Sequence, residues 1–289
     1  LMLVTTKDLL ERAEAKNQAV GYFNITGLET LQAVISAAEK LKEPIGVQFA
    51  QVHEEVGMID LDVIGPIMVE MAEKASVPIA VHLDHGVDLS ILKKALDMGF
   101  TSIMYDGSDL PFDENVANTK IAVHMAEEYG ASVEAEIGMM SGLTLDESKT
   151  VNDRGMDRSM FTDPQLAKKF VELTGVDCLA CAFGTVHGMY HSAPNLDFEL
   201  VKELKETIGV PIVMHGGSGV SAEDYQKVIE AGVRKVNYYT YMAIAGGEAA
   251  KAAIPGLGDN VQFHDLATAA RAAMEEHASE AIRIMQHNN

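Results

Sequence analysis

Short apolar runs rich in Val, Ile and Phe recur along the chain, and a segment of helical character separates each run from the next. This alternation is typical of parallel β-strands joined by crossover helices. Eight runs have strand character: 20–23, 45–49, 79–83, 102–105, 132–137, 178–183, 212–214 and 234–236. Eight strand–helix units predict an α/β fold, a closed (β/α)8 TIM barrel in which residues 1–289 form a single domain.

Glycines and capping residues support the predicted helix boundaries. Five glycines stand a few residues before a predicted strand, where a helix often ends in a left-handed cap: Gly99, Gly130, Gly175, Gly209 and Gly232. Thr26 and Glu29 resemble a capping box at the start of a helix. The apolar residues of that helix share one face, namely Leu28, Leu31, Ile35 and Ala38.

Two segments break the rhythm of strands and helices. The stretch 139–163 is acidic and contains glycine, and a connection of that length is unusual in a compact domain unless it is functional. We therefore expect a long active-site loop there. The stretch 266–285 predicts an extra C-terminal helix or a contact between subunits.

Composition and charge narrow the classes of function. Apolar residues make up 47% of the chain, which is enough to bury a large core. The formal net charge is -21 and no basic run occurs, so we expect no nucleic-acid partner. An anionic substrate would therefore need a metal ion, backbone N–H groups or the N-terminus of a helix.

The two cysteines, Cys178 and Cys181, lie within one apolar run and not at the spacing of a disulfide scaffold. They form a C-x-x-C pair, but without a second pair a redox or zinc site is the weaker interpretation, and buried thiols are the better one. A reduced, cytoplasmic location fits this pattern. The first residues lack the features of a secretory signal and no stretch approaches the roughly 20 apolar residues of a membrane span, so we expect no membrane partner.

Polar and ionisable residues cluster where the predicted strands end. Six strand ends carry them: Asp84 and His85 at the third strand, Asp106 at the fourth, Glu136 at the fifth, His187 at the sixth, His215 at the seventh and Asn237 at the eighth. Each alone is more often an ordinary loop residue. The carboxyl ends of barrel strands share one rim, however, where active sites are built, so the concerted pattern predicts a site at that rim.

His85, His187 and His215 come from three different strands. Three histidines are the number and type of ligand that a catalytic zinc ion uses while a coordination position remains open for the substrate. Together with the carboxylates of Asp106 and Glu136, they favour a metal site. Those carboxylates could bind the same ion, bind a second cation or only orient the imidazoles.

A glycine-rich run, Gly-Gly-Ser-Gly at 216–219, directly follows His215. Its backbone N–H groups can contact a phosphate, and the next helix adds its positive end. A glycine-rich turn alone is a weak indication. Its place between the seventh and eighth strands matches the usual phosphate site of such barrels, so we expect a phosphorylated substrate.

These motifs resemble the class II fructose-bisphosphate and tagatose-bisphosphate aldolase family over most of the chain. Six ordered segments carry the resemblance: 21–24 (GYFN), 82–86 (HLDHG), 106–108 (DGS), 133–138 (VEAEIG), 183–190 (FGTVHGMY) and 215–219 (HGGSG). The resemblance implies a metal-dependent aldehyde-lyase. Such an enzyme cleaves a phosphorylated ketose reversibly to dihydroxyacetone phosphate and an aldehyde, through a zinc-stabilised enediolate.

The resemblance also implies roles for individual residues. His85, His187 and His215 would hold one catalytic zinc ion per subunit, and Asp84 would be the acid and base at the aldehyde oxygen. The residues that would surround the substrate and its phosphate are Asn24, Gly188, Gly216, Gly217, Ser218, Asn237 and Thr240. In this family a monovalent cation often assists there, and the family precedent favours a homodimer or homotetramer.

The chain departs from the family pattern near the expected substrate. The acidic loop residue that moves protons at the ketone half lacks a clear counterpart, and Glu147 or Asp146 would take its role as a catalytic residue. Tyr239 replaces the carboxylate of the usual Asn-x-Asp-Thr motif, and Ala50 and Gln51 stand where a small hydroxyl residue is common. We therefore expect a ketose phosphate other than fructose 1,6-bisphosphate.

Three alternative interpretations stay open. Lys235 precedes Asn237 by two residues on a strand, so it shares the inward face and could form a Schiff base with a ketose. Lysines inside a barrel are, however, more often structural partners of acidic residues. A metal-dependent hydrolase also uses His and Asp at a barrel rim, but no H-x-H on an early strand and no H-E-x-x-H motif occurs. A non-catalytic sugar-phosphate-binding or helper subunit would keep the fold with an altered loop near Glu147.

Overall fold

The computed structural model describes residues 2–138, 160–190 and 194–286, and the strands in these ranges close into a parallel barrel. They follow one another around the barrel in chain order, and the last strand pairs with the first. The strands are β1 (Val20–Asn24), β2 (Ile45–Ala50), β3 (Ile79–Gly86), β4 (Ser102–Tyr105), β5 (Ser132–Ile137), β6 (Cys178–Cys181), β7 (Ile212–Met214) and β8 (Val233–Tyr238). The predicted (β/α)8 barrel is confirmed.

Helices alternate with the strands and bury their apolar faces against the outside of the barrel. The helices are α1 (Thr6–Lys16), α2 (Leu28–Leu41), α3 (Gln51–Glu55), α4 (Leu61–Lys74), α5 (Leu89–Asp97), α6 (Phe112–Tyr129), α7 (Pro164–Thr174), α8 (Phe198–Ile208), α9 (Ala222–Ala231), α10 (Thr240–Ala253) and α11 (Phe263–Met285), with a short 3-10 helix at Ile254–Gly256. In the described ranges, no helix has both the length and the apolar character that a membrane crossing requires.

Four strands are longer than the apolar runs that predicted them: β1 and β2 by one residue each, and β3 and β8 by more. β3 continues to Gly86, because it pairs with β2 as far as Asp84 and with β4 at Gly86, whose partner is Tyr105. β8 likewise continues through Asn237 and ends at Tyr238. The polar residues that the sequence placed after β3 and β8 therefore lie within them, on backbone that is fixed by the barrel.

Helix ends agree with the sequence prediction at several glycines. α6, α7 and α8 end at left-handed glycines, namely Gly130, Gly175 and Gly209. Gly232 follows α9 with a positive φ of 135°. At α5 the cap residue is Met98 in the right-handed region, and Gly99 follows it with a φ of 96°.

The predicted capping box at Thr26 and Glu29 is wrong. The N-cap of α2 is Gly27, and no side chain caps the helix. Because the helix begins at Leu28, Glu29 is its second residue and not the third, which is the position that a capping box requires. Leu28 is also 42% exposed, whereas the other three residues of the predicted apolar face are buried.

α1 covers the N-terminal end of the barrel. Its apolar residues pack against inward-facing side chains of the strands in two clusters, which include Leu9, Ala13, Val20, Tyr22 and Ala80 in one and Leu10, Met104, Cys178, Ala180 and Val213 in the other. The polar carboxyl ends of the strands lie at the opposite end. The candidate site is therefore at the end of the barrel that α1 leaves open.

Cys178 and Cys181 lie on opposite faces of β6. Side chains three residues apart on a strand point in opposite directions. Cys178 packs inside the barrel, whereas Cys181 packs in the layer between strands and helices. Both are buried free thiols, so the interpretation as buried small residues is confirmed.

The ring of Tyr22 occupies the barrel interior next to Gly46. A Cβ atom at Gly46 would lie 2.1 Å from the Cδ1 atom of that ring, so only glycine leaves room for it. Tyr22 is fully buried, and its hydroxyl donates a hydrogen bond of 2.8 Å to Thr6 Oγ1 at the start of α1. The ring therefore joins the covered end of the barrel to its interior.

The predicted extra C-terminal helix is present as α11. It packs against α2, α9 and α10, and the N–H group of Ala19 donates to the carbonyl oxygen of Met285 at 3.0 Å. A contact between subunits at this helix stays a prediction. Most of the predicted loop 139–163 lies outside the described residues.

One prediction concerns Arg234, whose buried guanidinium pairs with Glu14 of α1 at 2.7 Å. Burial alone would raise the pKa of Glu14, but Lys205 and Arg234 lower it below its usual value. We expect Glu14→Gln to lower the free energy of unfolding by about 0.5–1 kcal/mol at pH 7, a small value because the carboxylate is partly solvated. Urea denaturation at several pH values measures this difference.

The pH dependence of that difference has a defined sign. Because the folded-state pKa of Glu14 is lowered, its contribution is present above the unfolded-state pKa and is lost as the pH falls through the folded-state pKa. Wild type and variant should therefore converge at acidic pH. Glu128→Gln, at an exposed position of α6, is the control and should match wild type throughout. A Glu14→Gln effect that grows with acidity would contradict the assignment.

Candidate functional site

The backbone of β3 directs the side chains of two consecutive residues, Asp84 and His85, toward the same site. In a regular strand, neighbouring side chains point to opposite faces. His85 instead adopts a φ of 47°, in the left-handed region, and the pairing of β3 with β4 shifts register at this point. As a result, Asp84 Oδ1 lies 3.9 Å from His85 Nε2. Such strained backbone is characteristic of functional sites.

The three predicted histidines meet at the open end of the barrel. Each offers a ring nitrogen, and these atoms all lie within 4.8 Å of one another. The ring centroids of His85 and His215 are 4.6 Å apart, and that of His187 lies 5.0 Å from His85 and 5.7 Å from His215. The ring planes are steeply inclined to one another, at 73° to 87°, and the short distances between the ring nitrogens place these atoms around a common centre.

Carboxylates hold the outer nitrogens of two of these rings. Asp106 Oδ2 lies 2.7 Å from His85 Nδ1, and Glu134 Oε1 lies 2.7 Å from His215 Nε2. The remaining nitrogens, His85 Nε2 and His215 Nδ1, then face each other at 2.9 Å. Carboxylates that fix the orientation of imidazoles in this way are typical of metal sites. Among the roles left open for Asp106, the geometry supports orientation of His85.

Buried atoms without partners indicate that a ligand belongs here. Among the described residues, both ring nitrogens of His187 and Glu136 Oε2 are buried and have no hydrogen-bond partner. Leaving such groups unsatisfied is costly. A divalent cation bound by the three imidazoles, with a position left open, would satisfy His187, so the donor set fits zinc. A second group that could hold a cation consists of His85, Asp106 and Glu136.

The electrostatics of the cluster also fit a cation. Burial lowers the pKa of His187 well below its usual value, so this imidazole is neutral and has a free lone pair. Burial also disfavours a charge on His85, but the surrounding carboxylates, Asp84 first, raise the pKa of His85 to about 10. Burial and the neighbouring Asp106 raise the pKa of Glu136 well above its usual range. The cluster therefore attracts positive charge at its centre.

Asp84 is held by three amide side chains. Asn24 Nδ2 and Gln48 Nε2 donate to Asp84 Oδ2 at 2.9 Å and 3.0 Å, and Asn237 Nδ2 donates to Oδ1 at 3.0 Å. Burial alone would raise the pKa of Asp84, but the nearby positive groups, His85 first, hold it well below its usual range. Asp84 is thus an ionised carboxylate with fixed orientation, next to the three histidines.

The loops after β6 and β7 approach each other closely at Gly216. This glycine has a φ of 64°, and a Cβ atom on it would lie 2.2 Å from the carbonyl oxygen of Val186. Tyr190 joins the two loops, because its hydroxyl donates to the Gly216 carbonyl at 2.8 Å and accepts from the Val186 N–H at 3.0 Å. Gly188 borders open space, since a Cβ atom added to it would meet no other group within 4 Å.

Two further predicted phosphate residues, Ser218 and Thr240, lie at the N-terminus of α10, whereas Asn24 and Asn237 contact Asp84. Thr240 is the first residue of this helix, and Ser218 Oγ accepts the N–H of Tyr239 at 2.9 Å. The N–H of Gly217 already donates to the carbonyl oxygen of Asn237 at 3.1 Å. A phosphate here would therefore meet the helix end and Ser218, and the predicted contact of Gly217 would not use its N–H.

Sequence reasoning missed two residues of the site and left the role of a third open. Gln48 binds both Asn24 and Asp84, and Glu134 binds His215. Lys235 was considered as a nucleophile or as the partner of an acidic residue, and the second interpretation is confirmed, because its fully buried Nζ atom lies 2.7 Å from Glu134 Oε2. The available signal was a charged or amide residue at an inward-facing position of an apolar strand. The predicted catalytic residue Glu147 lies outside the described residues.

Comparison with known proteins places the chain in a family. A family model described as class II fructose-bisphosphate aldolase matches residues 4–289. The chain therefore belongs to the class II fructose-bisphosphate aldolase family. It is 38% identical over 277 residues to a protein of Bacillus subtilis (strain 168) named "Probable fructose-bisphosphate aldolase", covering 95% of this chain and 94% of that protein.

Solved structures agree with this assignment. The crystal structure of the YdjI aldolase from Escherichia coli K12 is similar to this chain with a TM-score of 0.85 and 35% identity, covering 98% of this chain and 97% of that one. A fructose-bisphosphate aldolase from Campylobacter jejuni has a TM-score of 0.78 at 20% identity, covering 98% of this chain and 95% of that one, and supports the fold alone.

A prediction about metal binding follows from the unpartnered His187. We expect His187→Ala to weaken Zn²⁺ binding by more than about 100-fold, since loss of a mere second-sphere contact already costs about 10–100-fold. Competition with a chromophoric chelator measures the affinity. His124→Ala, which removes an exposed histidine of α6, should bind Zn²⁺ as tightly as wild type. Equal affinities of wild type and His187→Ala would refute the site.

Proposed function

We propose that this protein is a metal-dependent aldolase that reversibly cleaves a phosphorylated ketose to dihydroxyacetone phosphate and an aldehyde. One observation carries the proposal: three imidazoles converge on one centre beside Asp84, an oriented and ionised carboxylate. Membership of the class II aldolase family supports the same reaction type.

The three histidines would hold the cation. When bound, a divalent ion such as zinc supplies Lewis-acid stabilisation of the negative charge that develops on the ketone half. Asp106 and Glu134 orient His85 and His215 through their outer nitrogens. One catalytic ion per subunit fits the three-histidine set, and Glu136 is available to a second cation with His85 and Asp106.

Asp84 would exchange the proton at the aldehyde oxygen. In the cleavage direction its carboxylate takes the proton of the C4 hydroxyl as the C3–C4 bond breaks, and it returns that proton in the condensation direction. Its lowered pKa keeps it ionised at neutral pH, the form that has a lone pair for the proton, and the amides of Asn24, Gln48 and Asn237 fix its orientation. Glu147 would move the proton at the ketone half, in line with its expected role.

The phosphate would bind between the loop after β7 and the start of α10. The chain has a net charge of -21, so a phosphate needs local positive potential. The N-terminus of α10 supplies it, and the Ser218 hydroxyl can donate a hydrogen bond. Gly188 and Gly216 leave room for the substrate, and a monovalent cation could add positive charge at this corner. We also propose that the enzyme is cytoplasmic, since both its thiols are free, and that it is a homodimer or homotetramer, as the family precedent favours.

The role of Asp84 is tested by measuring cleavage of the ketose and proton exchange on dihydroxyacetone phosphate separately. We expect Asp84→Asn to lower kcat for cleavage by about 10²–10⁴-fold, the usual contribution of a general acid or base. Proton exchange at C3 of dihydroxyacetone phosphate, followed by NMR, should persist, because it does not involve the C4 hydroxyl. A chelator should abolish both activities in wild type. Parallel loss of both in Asp84→Asn, at unchanged Zn²⁺ content, would count against the proposal.

A second test measures which phosphorylated ketose the enzyme prefers. Tyr239 stands where the family has a carboxylate, and its ring lies 5.3 Å from that of the buried His53. This aromatic pair changes the site beside the expected phosphate, so we expect a ketose phosphate other than fructose 1,6-bisphosphate to give the highest kcat/KM. A panel of ketose phosphates that differ in length, charge and C4 configuration measures this. A clear preference for fructose 1,6-bisphosphate would refute the substrate prediction and leave the reaction type intact.

A further inference from the structure

The ammonium group of Lys235 lies inside the barrel, directly beneath the candidate site. It is fully buried, and each of its three N–H bonds has a partner of suitable chemistry. Nζ lies 2.7 Å from Glu134 Oε2, 2.8 Å from Asn237 Oδ1 and 4.4 Å from the centre of the Tyr22 ring. Two hydrogen bonds and a cation–π contact therefore fix its position.

The first contact leads to a histidine of the candidate metal site. Glu134 uses Oε2 for Lys235 and Oε1 for His215 Nε2, both at 2.7 Å. His82 Nε2 has no hydrogen-bond partner among the described residues and lies 3.6 Å from the same Oε2 atom, so it competes for the carboxylate. Lys235 keeps Glu134 in the rotamer that reaches His215. The opposite nitrogen, His215 Nδ1, then points toward His85.

The second contact leads to the acid–base carboxylate. An ammonium group only donates hydrogen bonds, so the atom of Asn237 that faces Lys235 must be its amide oxygen. The amide nitrogen then faces Asp84 and donates to Oδ1 at 3.0 Å. Without Lys235, the amide could rotate and present its oxygen to the carboxylate. Lys235 therefore fixes which end of Asn237 meets Asp84.

We propose that Lys235 is a positioning residue that orients both His215 and Asp84. It acts on His215 through Glu134 and on Asp84 through Asn237, so one buried charge sets the relative placement of the metal ligand and the acid–base group. The inference rests on the proposed aldolase function. It also replaces the Schiff-base hypothesis, because the Nζ atom is enclosed by its three partners and touches no open space.

Lys235→Met tests the proposal, because methionine fills similar space without charge or donors. We expect Zn²⁺ affinity to fall by about 10–100-fold, as for other second-sphere contacts, and kcat to fall at least about 10-fold. KM should stay within about threefold of wild type, since Lys235 does not contact the substrate. The visible spectrum of the Co²⁺-loaded variant should differ from that of wild type. Lys227→Met, which removes an exposed cation of α9, should change none of these.

A double variant separates positioning from simple neutralisation of a buried charge. Lys235→Met alone leaves Glu134 without its cation and lowers thermal stability. Glu134→Gln with Lys235→Met removes both charges, so stability should recover while kcat stays low, because Asn237 still lacks its donor. Wild-type kcat and Zn²⁺ affinity in either variant would overturn the proposal. Trapping of wild type on Lys235 by borohydride with dihydroxyacetone phosphate and a chelator would overturn it as well.

The readouts distinguish this inference from the proposed function. Zn²⁺ affinity and the Co²⁺ spectrum use the metal alone and need no turnover. If wild type cleaves no ketose phosphate, the aldolase proposal fails, whereas the metal measurements still decide whether Lys235 orients His215. If wild type is active and Lys235→Met matches it in every readout, the positioning role fails and the aldolase proposal stands.

Discussion

The ion pair between Lys235 and Glu134 is the interaction around which the interior of this barrel is organised. Neither side chain is exposed to solvent, and a buried charge is tolerated only when it is paired and hydrogen-bonded. The pair is therefore surrounded by groups that complete it: Tyr22 on one side, Asn237 and His215 on the side of the candidate site. The polar groups at the open end of the barrel are in this way anchored to the fully buried part of the molecule.

Sequence reasoning recovered the parts of the structure that depend on regular periodicity. The eight apolar runs predicted the strands, and the polar residues at their ends predicted the rim, because parallel strands in a barrel all point the same way. It did not recover local backbone exceptions. Nothing in the sequence indicates that His85 is left-handed, yet this conformation brings Asp84 and His85 into one site. The N-cap of α2 at Gly27 was missed for a different reason, because the neighbouring Thr26 is of a residue type that commonly caps helices.

Contacts between side chains of distant strands were also beyond prediction. Gln48, Glu134 and Lys235 face inward at positions fixed by alternation, but their hydrogen-bond partners depend on the register and closure of the barrel. The sequence likewise predicts the type of reaction better than it predicts the substrate. The candidate metal and acid–base residues match motifs that the sequence carries intact, whereas Tyr239 and Gln51 depart from the family pattern. The reaction type could thus be predicted from intact motifs, whereas the substrate depends on positions that have changed.

Gly46 shows how tightly the interior limits sequence change. A single added methyl group there would meet the Tyr22 ring, and that ring covers the ammonium group of Lys235. A smaller residue at 22 would leave a void over the cation, and a larger one at 46 would displace the ring. A larger residue at position 46 is thus tolerated only together with a smaller one at position 22, and that change also alters the contact with Lys235. We expect related sequences to change these residues together. Substitutions inside the barrel should therefore be coupled, whereas substitutions on its outer surface should accumulate independently.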